Sequence, residues 1–349
     1  MSGNYFGWDI GGAHLKVARI DARGQVTAVR QIACPLWRGI HELGRACALI
    51  DFPIDAADAV HAVTMTGELC DVFSDRADGV RQIVDHFLQL ISTAARVRIF
   101  GGYQGWLSPE EVCGSAVSAV ASANWLALAA FTAELIGDGV LLDIGSTTTD
   151  IVPIADNEVR CEGRDDAARL GAGELVYTGA VRTPVIGVCG TVPFRGRWQP
   201  LAAEVFATTA DVYRLLGEIE AHHDLMPTAD GRSKDVSGSA RRLARMLGLD
   251  LAVTSAEEMR RVAAYVARVQ AQQIGDALEL VCSRHTNPPA EPVLIGAGVG
   301  RFIVAALARA QGRHYRGFDA LLGVAPQHAE AAAIAAPAVA AGKLLWMTA

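Results

Sequence analysis

The sequence predicts a layered α/β protein of two lobes, each a mixed sheet with flanking helices, with a central cleft. Three observations predict it. Short β-prone runs alternate with helical stretches along the chain, the pattern of stacked sheet and helix layers. One device, strand then Asp-x-Gly turn then strand, occurs twice, in DIGGAHLK (residues 9–16) and DIGSTTTD (143–150). Two Ala-rich stretches, 112–133 and 331–342, suit helices that pack closely on sheets. At 349 residues the chain is long for one domain. The expected lobes are 1–133 and 134–349, the second carrying a helical insertion at about 200–290, a Gly-rich strand–turn–helix and a C-terminal connecting helix.

In chain order, residues 5–10 are apolar and β-prone, with Asp9 near their end. Gly11 and Gly12 turn the chain, and 15–20 resume the apolar run carrying Lys16. Residues 25–34 read as a third strand and 38–49 as a helix. Residues 59–65 form a strand ending in Thr66-Gly67-Glu68. A helix follows at 79–92, then a short strand at 97–100, then helix over 110–133. The second device spans 140–154, VLLDIGSTTTDIVPI, turning at Gly145. Val159 and Cys161 suggest another strand, and 185–188 a further one. Residues 206–219, 238–247 and 257–282 read as helices, with turn chemistry at 228–232. The strand 293–295 ends in Gly296-Ala297-Gly298-Val299-Gly300, followed by helix at 302–310. Pro337 interrupts the last Ala-rich stretch.

Composition bounds the function. The net charge is −7, with no basic run, which argues against nucleic acid and anionic membrane as partners and for small-molecule substrates. The seven cysteines are odd in number and include no CxxC pair. That suits reduced thiols in a cytoplasm and gives no zinc spacing. Asp9 interrupts the first apolar run, so no signal peptide is expected. The uncharged stretch 112–133 is mostly Ala, Ser and Gly, weakly apolar, and reads as a buried helix rather than a membrane span. A homodimer is compatible with all of this.

The two devices carry the chemistry. Asp9 and Asp143, each at a strand end, are placed to hold Mg²⁺. The N–H groups of Gly11, Gly12, Gly145 and Ser146, with Thr147, Thr148 and Lys16, suit a phosphoryl or diphosphate chain. Tyr177 and Arg182 are candidates for substrate contact. Gly296, Gly298 and Gly300 suggest a seat for a nucleotide or part of a substrate. The GxGxG pattern also opens a dinucleotide fingerprint, but too little chain follows for a doubly wound domain, and Asp319 is loosely placed as its acidic partner. His222-His223-Asp224 reads as a polar loop rather than a metal cluster. Arg241, Arg242 and Arg245 read as the solvated face of a helix.

The order of these pieces resembles the sugar kinase, Hsp70 and actin superfamily over nearly the whole chain, closest to its hydantoinase/oxoprolinase branch. The resemblance implies an actin-like ATPase fold, with hairpins for phosphates and metal and a glycine turn for adenosine. A narrower resemblance lies in TMTGELCD (64–71), GELVYTGAVRTPV (173–185), FATTADVYRLLGEI (206–219) and TADGRSKDVSGSARRLARMLG (228–248). These stretches are similar to the family of tetrahydromethanopterin-linked one-carbon-transfer proteins, which includes a condensing enzyme of methanofuran biosynthesis. The activity so implied joins an aminomethyl-furan methyl diphosphate to the phenol of a glutamyl-tyramine acceptor and releases diphosphate. Lys16 would then neutralise the leaving group beside Mg²⁺, with ATP not required. Asp150 or Glu68 would take the proton of the phenol, whose pKa is near ~10. The alternatives are an ATP-dependent kinase or hydantoinase/oxoprolinase-like amidohydrolase, and a non-enzymatic nucleotide-binding regulatory protein.

Overall fold

The computed structural model describes residues 4–284 and 292–348. The chain forms two compact units. One takes the described residues of 1–138, 154–160 and 317–349, and the other those of 139–153 and 161–316. The C-terminal helix, read from the sequence as the close of the second lobe, therefore lies with the first unit. The last residues expected in the helical insertion, 285–290, lie outside the described residues.

The first unit is built on six strands: β1 (Tyr5–Ile10), β2 (His14–Ile20), β3 (Val26–Ala33), β4 (Val60–Met65), β5 (Arg96–Phe100) and β6 (Trp106–Leu107). Their order is β3-β2-β1-β4-β5-β6. β1 pairs antiparallel with β2 and parallel with β4, so the sheet is mixed. Every residue of β1 and β4 is buried. Such strands are covered on both faces and read as continuous apolar runs. Side chains alternate between those faces. Phe6 and Trp8 enter a core with Ile83 and Phe87 of the helix Arg76–Leu90. Gly7, between them, meets the C-terminal helix Ala336–Met347. A methyl carbon on Gly7 would lie 1.9 Å from the Ala338 carbonyl oxygen, and one on Gly342 would lie 3.0 Å from the Gly7 nitrogen. Helix and sheet thus touch backbone to backbone. The same helix fastens the β2–β3 turn: Lys343 Nζ donates to the Gly24 carbonyl at 2.7 Å and Trp346 Nε1 to that of Ala22 at 3.2 Å.

The remaining strands are β7 (Gly139–Ile144), β8 (Thr149–Ala155), β9 (Glu158–Val159), β10 (Leu175–Val176), β11 (Thr191–Phe194), β12 (Arg197–Pro200), β13 (Leu294–Ala297) and β14 (Tyr315–Gly317). The second sheet runs β10-β8-β7-β13-β14, with β9 on β8. β13 is parallel to β7, and β10 antiparallel to β8. The 27-residue helix Ala256–Cys282 opens with a capping box between Ser255 and Glu258. It packs Met259, Val262 and Val266 with Val212 and Leu243 in one apolar cluster. Those last two belong to the helices Thr209–Leu216 and Val236–Met246.

Several expectations are corrected. Residues 185–188 form a short helix, not a strand, because Pro184 starts a turn in which Gly187 N bonds its carbonyl and Cys189 N bonds that of Val185. Cys161 lies beyond β9. The helix expected over 110–133 is broken into a 3₁₀ turn Pro109–Glu111 and helices Ala116–Val120 and Asn124–Ile136, with Ser122 at φ +52° in the break. Pro337 sits in the first turn of its helix, where it is tolerated, and the 103° bend falls before it at Ala335. The β11–β12 hairpin was not foreseen; it turns at Arg195-Gly196, both with positive φ. Arg242 is not solvated. It is fully buried, 2.6 Å from Asp211 and 3.0 Å from Asp230. Asp224 is buried against Arg214 at 3.2 Å, while Glu220 lies 3.4 Å from His222. Among the described residues no single helix is long and apolar enough to cross a membrane.

Two predictions follow from this packing. Gly7→Ala should lower the unfolding midpoint, since overpacking of this kind costs on the order of 1–3 kcal/mol; calorimetry against the parent checks it. His61 is fully buried in β4, accepts a hydrogen bond from Trp8 Nε1 at 3.0 Å, and stacks on Phe6. Burial pushes its imidazole from 6.5 down to about 4. The folded state then stays neutral where the unfolded chain protonates. Stability is fully present above pH 6.5 and is lost as pH falls toward 4, reaching about 3 kcal/mol at ~1.4 kcal/mol per pH unit. His61→Gln should remove its share of that slope in denaturant unfolding measured from pH 7 to pH 4.

Candidate active site

The candidate residues of the first unit begin at the end of β1. Asp9 is 3% exposed. Its cross-strand partner on β2 is Lys16, and the two side chains form an ion pair at 3.3 Å from Oδ2. The other oxygen, Oδ1, accepts from Asn124 Nδ2 at 3.3 Å. A hairpin that sets an acid opposite a lysine in antiparallel register produces this pair directly. The turn closes with Gly11 N donating to the His14 carbonyl. Gly12 is pressed by Cys70, whose Sγ would lie 2.7 Å from a methyl carbon there.

Glu68 lies on the 3₁₀ turn Gly67–Leu69 that follows β4. It is 1% exposed, so it is no solvated loop acid. Its Oε1 accepts from Ser122 Oγ at 2.7 Å. Gly79 lets the helix behind it come close: a methyl carbon there would sit 2.8 Å from the Glu68 backbone. Ser122 and Asn124 were missed from the sequence. The signal was faint: polar residues inside an Ala- and Leu-rich run that otherwise reads as unbroken helix.

In the second unit the turn between β7 and β8 is held from its carbonyl side. Gly145 N donates to the Thr148 carbonyl at 2.9 Å. The Gly145 carbonyl accepts from Ala180 N at 3.0 Å, and that of Ser146 from Val181 and Arg182 N at 3.1 and 2.8 Å. Gly179 is packed so tightly below that a methyl carbon would meet Thr147 N at 2.5 Å. The side chain of Ser146 presents a buried Oγ with no hydrogen-bond partner among the described residues. Thr149 Oγ1 donates to the Thr178 carbonyl at 2.7 Å.

The loop 178–183 is itself fixed by Gln270 of the long helix. Gln270 Nε2 donates to Thr178 Oγ1 at 2.6 Å and the Gly179 carbonyl at 2.8 Å, and its Oε1 accepts from Tyr213 at 2.6 Å. Burial and nearby Glu218 raise the Tyr213 phenol well above its ordinary value, so it stays a donor. Tyr177 and Arg182, at the edges of this loop, are exposed. Asp150 at the start of β8 pairs at 2.9 Å with Arg169, a guanidinium that is 1% exposed and also donates to the Glu174 carbonyl.

The glycine turn after β13 packs on the end of β7. A methyl carbon on Gly298 would meet the Ile144 carbonyl at 2.3 Å and Asp143 Oδ1 at 2.5 Å, and one on Gly300 would meet the Ile144 side chain. On Gly296 it would meet the Tyr315 ring at 2.7 Å. All three are buried, and close packing inside the unit accounts for each. Asp143, 8% exposed, is thereby fixed between its own hairpin and this turn. The first unit thus gathers Asp9, Lys16 and Glu68. The second gathers Asp143, the turn 145–148, the loop carrying Tyr177 and Arg182, and the Gly298 turn.

Comparison with known proteins gives the family. The family described as hydantoinase/oxoprolinase matches residues 59–340. A protein of Methanocaldococcus jannaschii named (4-{4-[2-(gamma-L-glutamylamino)ethyl]phenoxymethyl}furan-2-yl)methanamine synthase is 36% identical over 254 residues, covering 72% of this chain and 74% of that protein. A protein of the same name from Methanococcus vannielii is 35% identical over 124 residues, 36% of this chain and 55% of that one. The nucleotide-free structure of an acetone carboxylase aligns with a TM-score of 0.57 at 12% identity, over 97% of this chain and 70% of that one. At that identity it bears on the fold alone, which is the actin-like, sugar-kinase type expected. The match over residues 59–340, together with the extended identity to the M. jannaschii synthase, makes this chain a member of the hydantoinase/oxoprolinase family.

Proposed function

We propose that the chain is a transferase of methanofuran biosynthesis that condenses an aminomethyl-furan methyl diphosphate with the phenol of a glutamyl-tyramine acceptor, releasing diphosphate. The observation that carries the reading is the turn 145–148. The carbonyls of Gly145 and Ser146 are bound by the amides of residues 180–182, and that of Thr148 by Gly145 N. Carbonyl oxygens repel an anion, so occupying them leaves a turn suited to phosphoryl oxygens, with the Ser146 hydroxyl still to be satisfied. The name of the M. jannaschii relative, which describes a phenoxymethyl-furan ether, supports this substrate class.

In the reaction the C–O bond to the diphosphate breaks and the electron pair leaves with the diphosphate. The furan oxygen stabilises the resulting cation, and the phenol oxygen attacks it. Glu68 or Asp150 receives the phenol proton. Lys16, paired with Asp9, brings positive charge to the first hairpin. Each hairpin carries a carboxylate near the end of its first strand, Asp9 in one unit and Asp143 in the other, and such an oxygen donor fits Mg²⁺; an ion held at either acid would neutralise charge on the departing diphosphate. Fixed charges and donors around these groups favour charge separation, and burial keeps water from the cation. The ATP-dependent alternative draws little support from Gly296, Gly298 and Gly300, whose identity is explained by packing. Seven free cysteines support a cytoplasmic location.

Asp9→Ala and Asp143→Ala should each lower turnover by on the order of 10²-fold or more with the circular dichroism spectrum unchanged. Normal rates in both would remove these acids from the chemistry. With purified protein, Mg²⁺, the furylmethyl diphosphate and a tyramine-type phenol, product and inorganic diphosphate should form equally with and without ATP. Product that appears only with ATP, alongside ADP, would replace this reading by the ATP-dependent one.

A further inference from the structure

We infer that Ser122-Ala123-Asn124 is a positioning elbow that aims two buried acids of the first unit, Asp9 and Glu68, at the substrate. The inference rests on the proposed condensation. Residues 116–136 are rich in Ala and Leu, good helix formers, and contain no Pro or Gly that would end a helix between 116 and 136. Yet the helix stops at Val120 and restarts at Asn124. Ser122 takes φ +52°, a region that glycine occupies freely and other residues rarely do. A chain under no other demand would place glycine there or continue the helix. Backbone strain of this sort persists where the surroundings enforce it, and it clusters at working sites.

The hydrogen bonds show what the break achieves. Ser122 Oγ donates to Glu68 Oε1 at 2.7 Å, across 54 residues of sequence. Two residues on, Asn124 Nδ2 donates to Asp9 Oδ1 at 3.3 Å, across 115 residues. The Asn124 amide cannot flip, because its Oδ1 accepts from Trp125 N at 2.8 Å. On a continuous helix, side chains two positions apart point away from each other. The left-handed residue brings them to one end of the helix, so one short segment serves both acids. Lys16 holds the other oxygen of Asp9. Neither Ser122 nor Asn124 needs to touch substrate for this role.

The test separates aim from scaffolding. Ser122→Gly relieves the strained φ while deleting the hydroxyl. Its thermal midpoint should lie above that of Ser122→Ala, which loses the same hydroxyl but keeps the strain, yet it should lower kcat at least tenfold with KM for the diphosphate within about twofold. Asn124→Ala should lower kcat similarly. Ser122→Ala serves as the control that keeps the strain and loses the hydroxyl, and its kcat should match that of Ser122→Gly. Parental kcat in Ser122→Gly and Asn124→Ala would overturn the inference. So would a loss of activity tracking only a loss of folded protein. A parent enzyme that makes no product at all would instead sink the condensation itself, which keeps the two failures apart.

Discussion

An ionised carboxylate removed from water must be met by a donor or a cation, and this requirement shapes both units. Asp9 is met by Lys16 and Asn124, Glu68 by Ser122, Asp150 by Arg169, and Asp211 by Arg242. Apart from Lys16, which shares the hairpin of Asp9, each partner arrives from a different stretch of sequence. Removing one member would strand the other in the interior, which is far costlier than never burying the pair. The fold around the acids is therefore as constrained as the apolar cores, and the polar contacts fix geometry that apolar packing alone leaves free.

The glycines complete this arrangement by letting backbone replace side chain. Gly179 under the turn 145–148, Gly298 and Gly300 against the end of β7, and Gly79 behind Glu68 each bring a main-chain segment closer than any Cβ allows. Their common effect is to fix acids and turns from behind. Gln270 performs the same service with a side chain, tying the loop 178–183 to the long helix.

Much of this was legible in the sequence. The two Asp-x-Gly hairpins, the alternation of strand and helix, and the Gly-rich turn after residues 293–295 all rest on local patterns that tertiary structure did not override. What escaped was non-local. Arg242 looks like part of a charged helix face until Asp211 and Asp230 close over it. Ser122 and Asn124 sit in a run whose local preference is helix, and the break is imposed by acids 54 and 115 residues away. Val185, Ile186 and Val188 are β-branched and apolar, which suits a strand, but Pro184 and the buried surroundings set a turn of helix instead. The role of each glycine as a site of close approach was likewise invisible, since the sequence names the glycine but not what lies against it.

The contact of Gly7 with Gly342 has a consequence for biosynthesis. β1 leaves the ribosome more than 300 residues before the helix that covers one of its faces. Until that helix emerges, an apolar strand at the centre of its sheet stands open on one side. At ~5–20 residues per second that wait lasts tens of seconds. The nascent chain is then a natural client for factors that shield exposed apolar strands, and shortening it before residue 342 would leave that face of β1 without its cover.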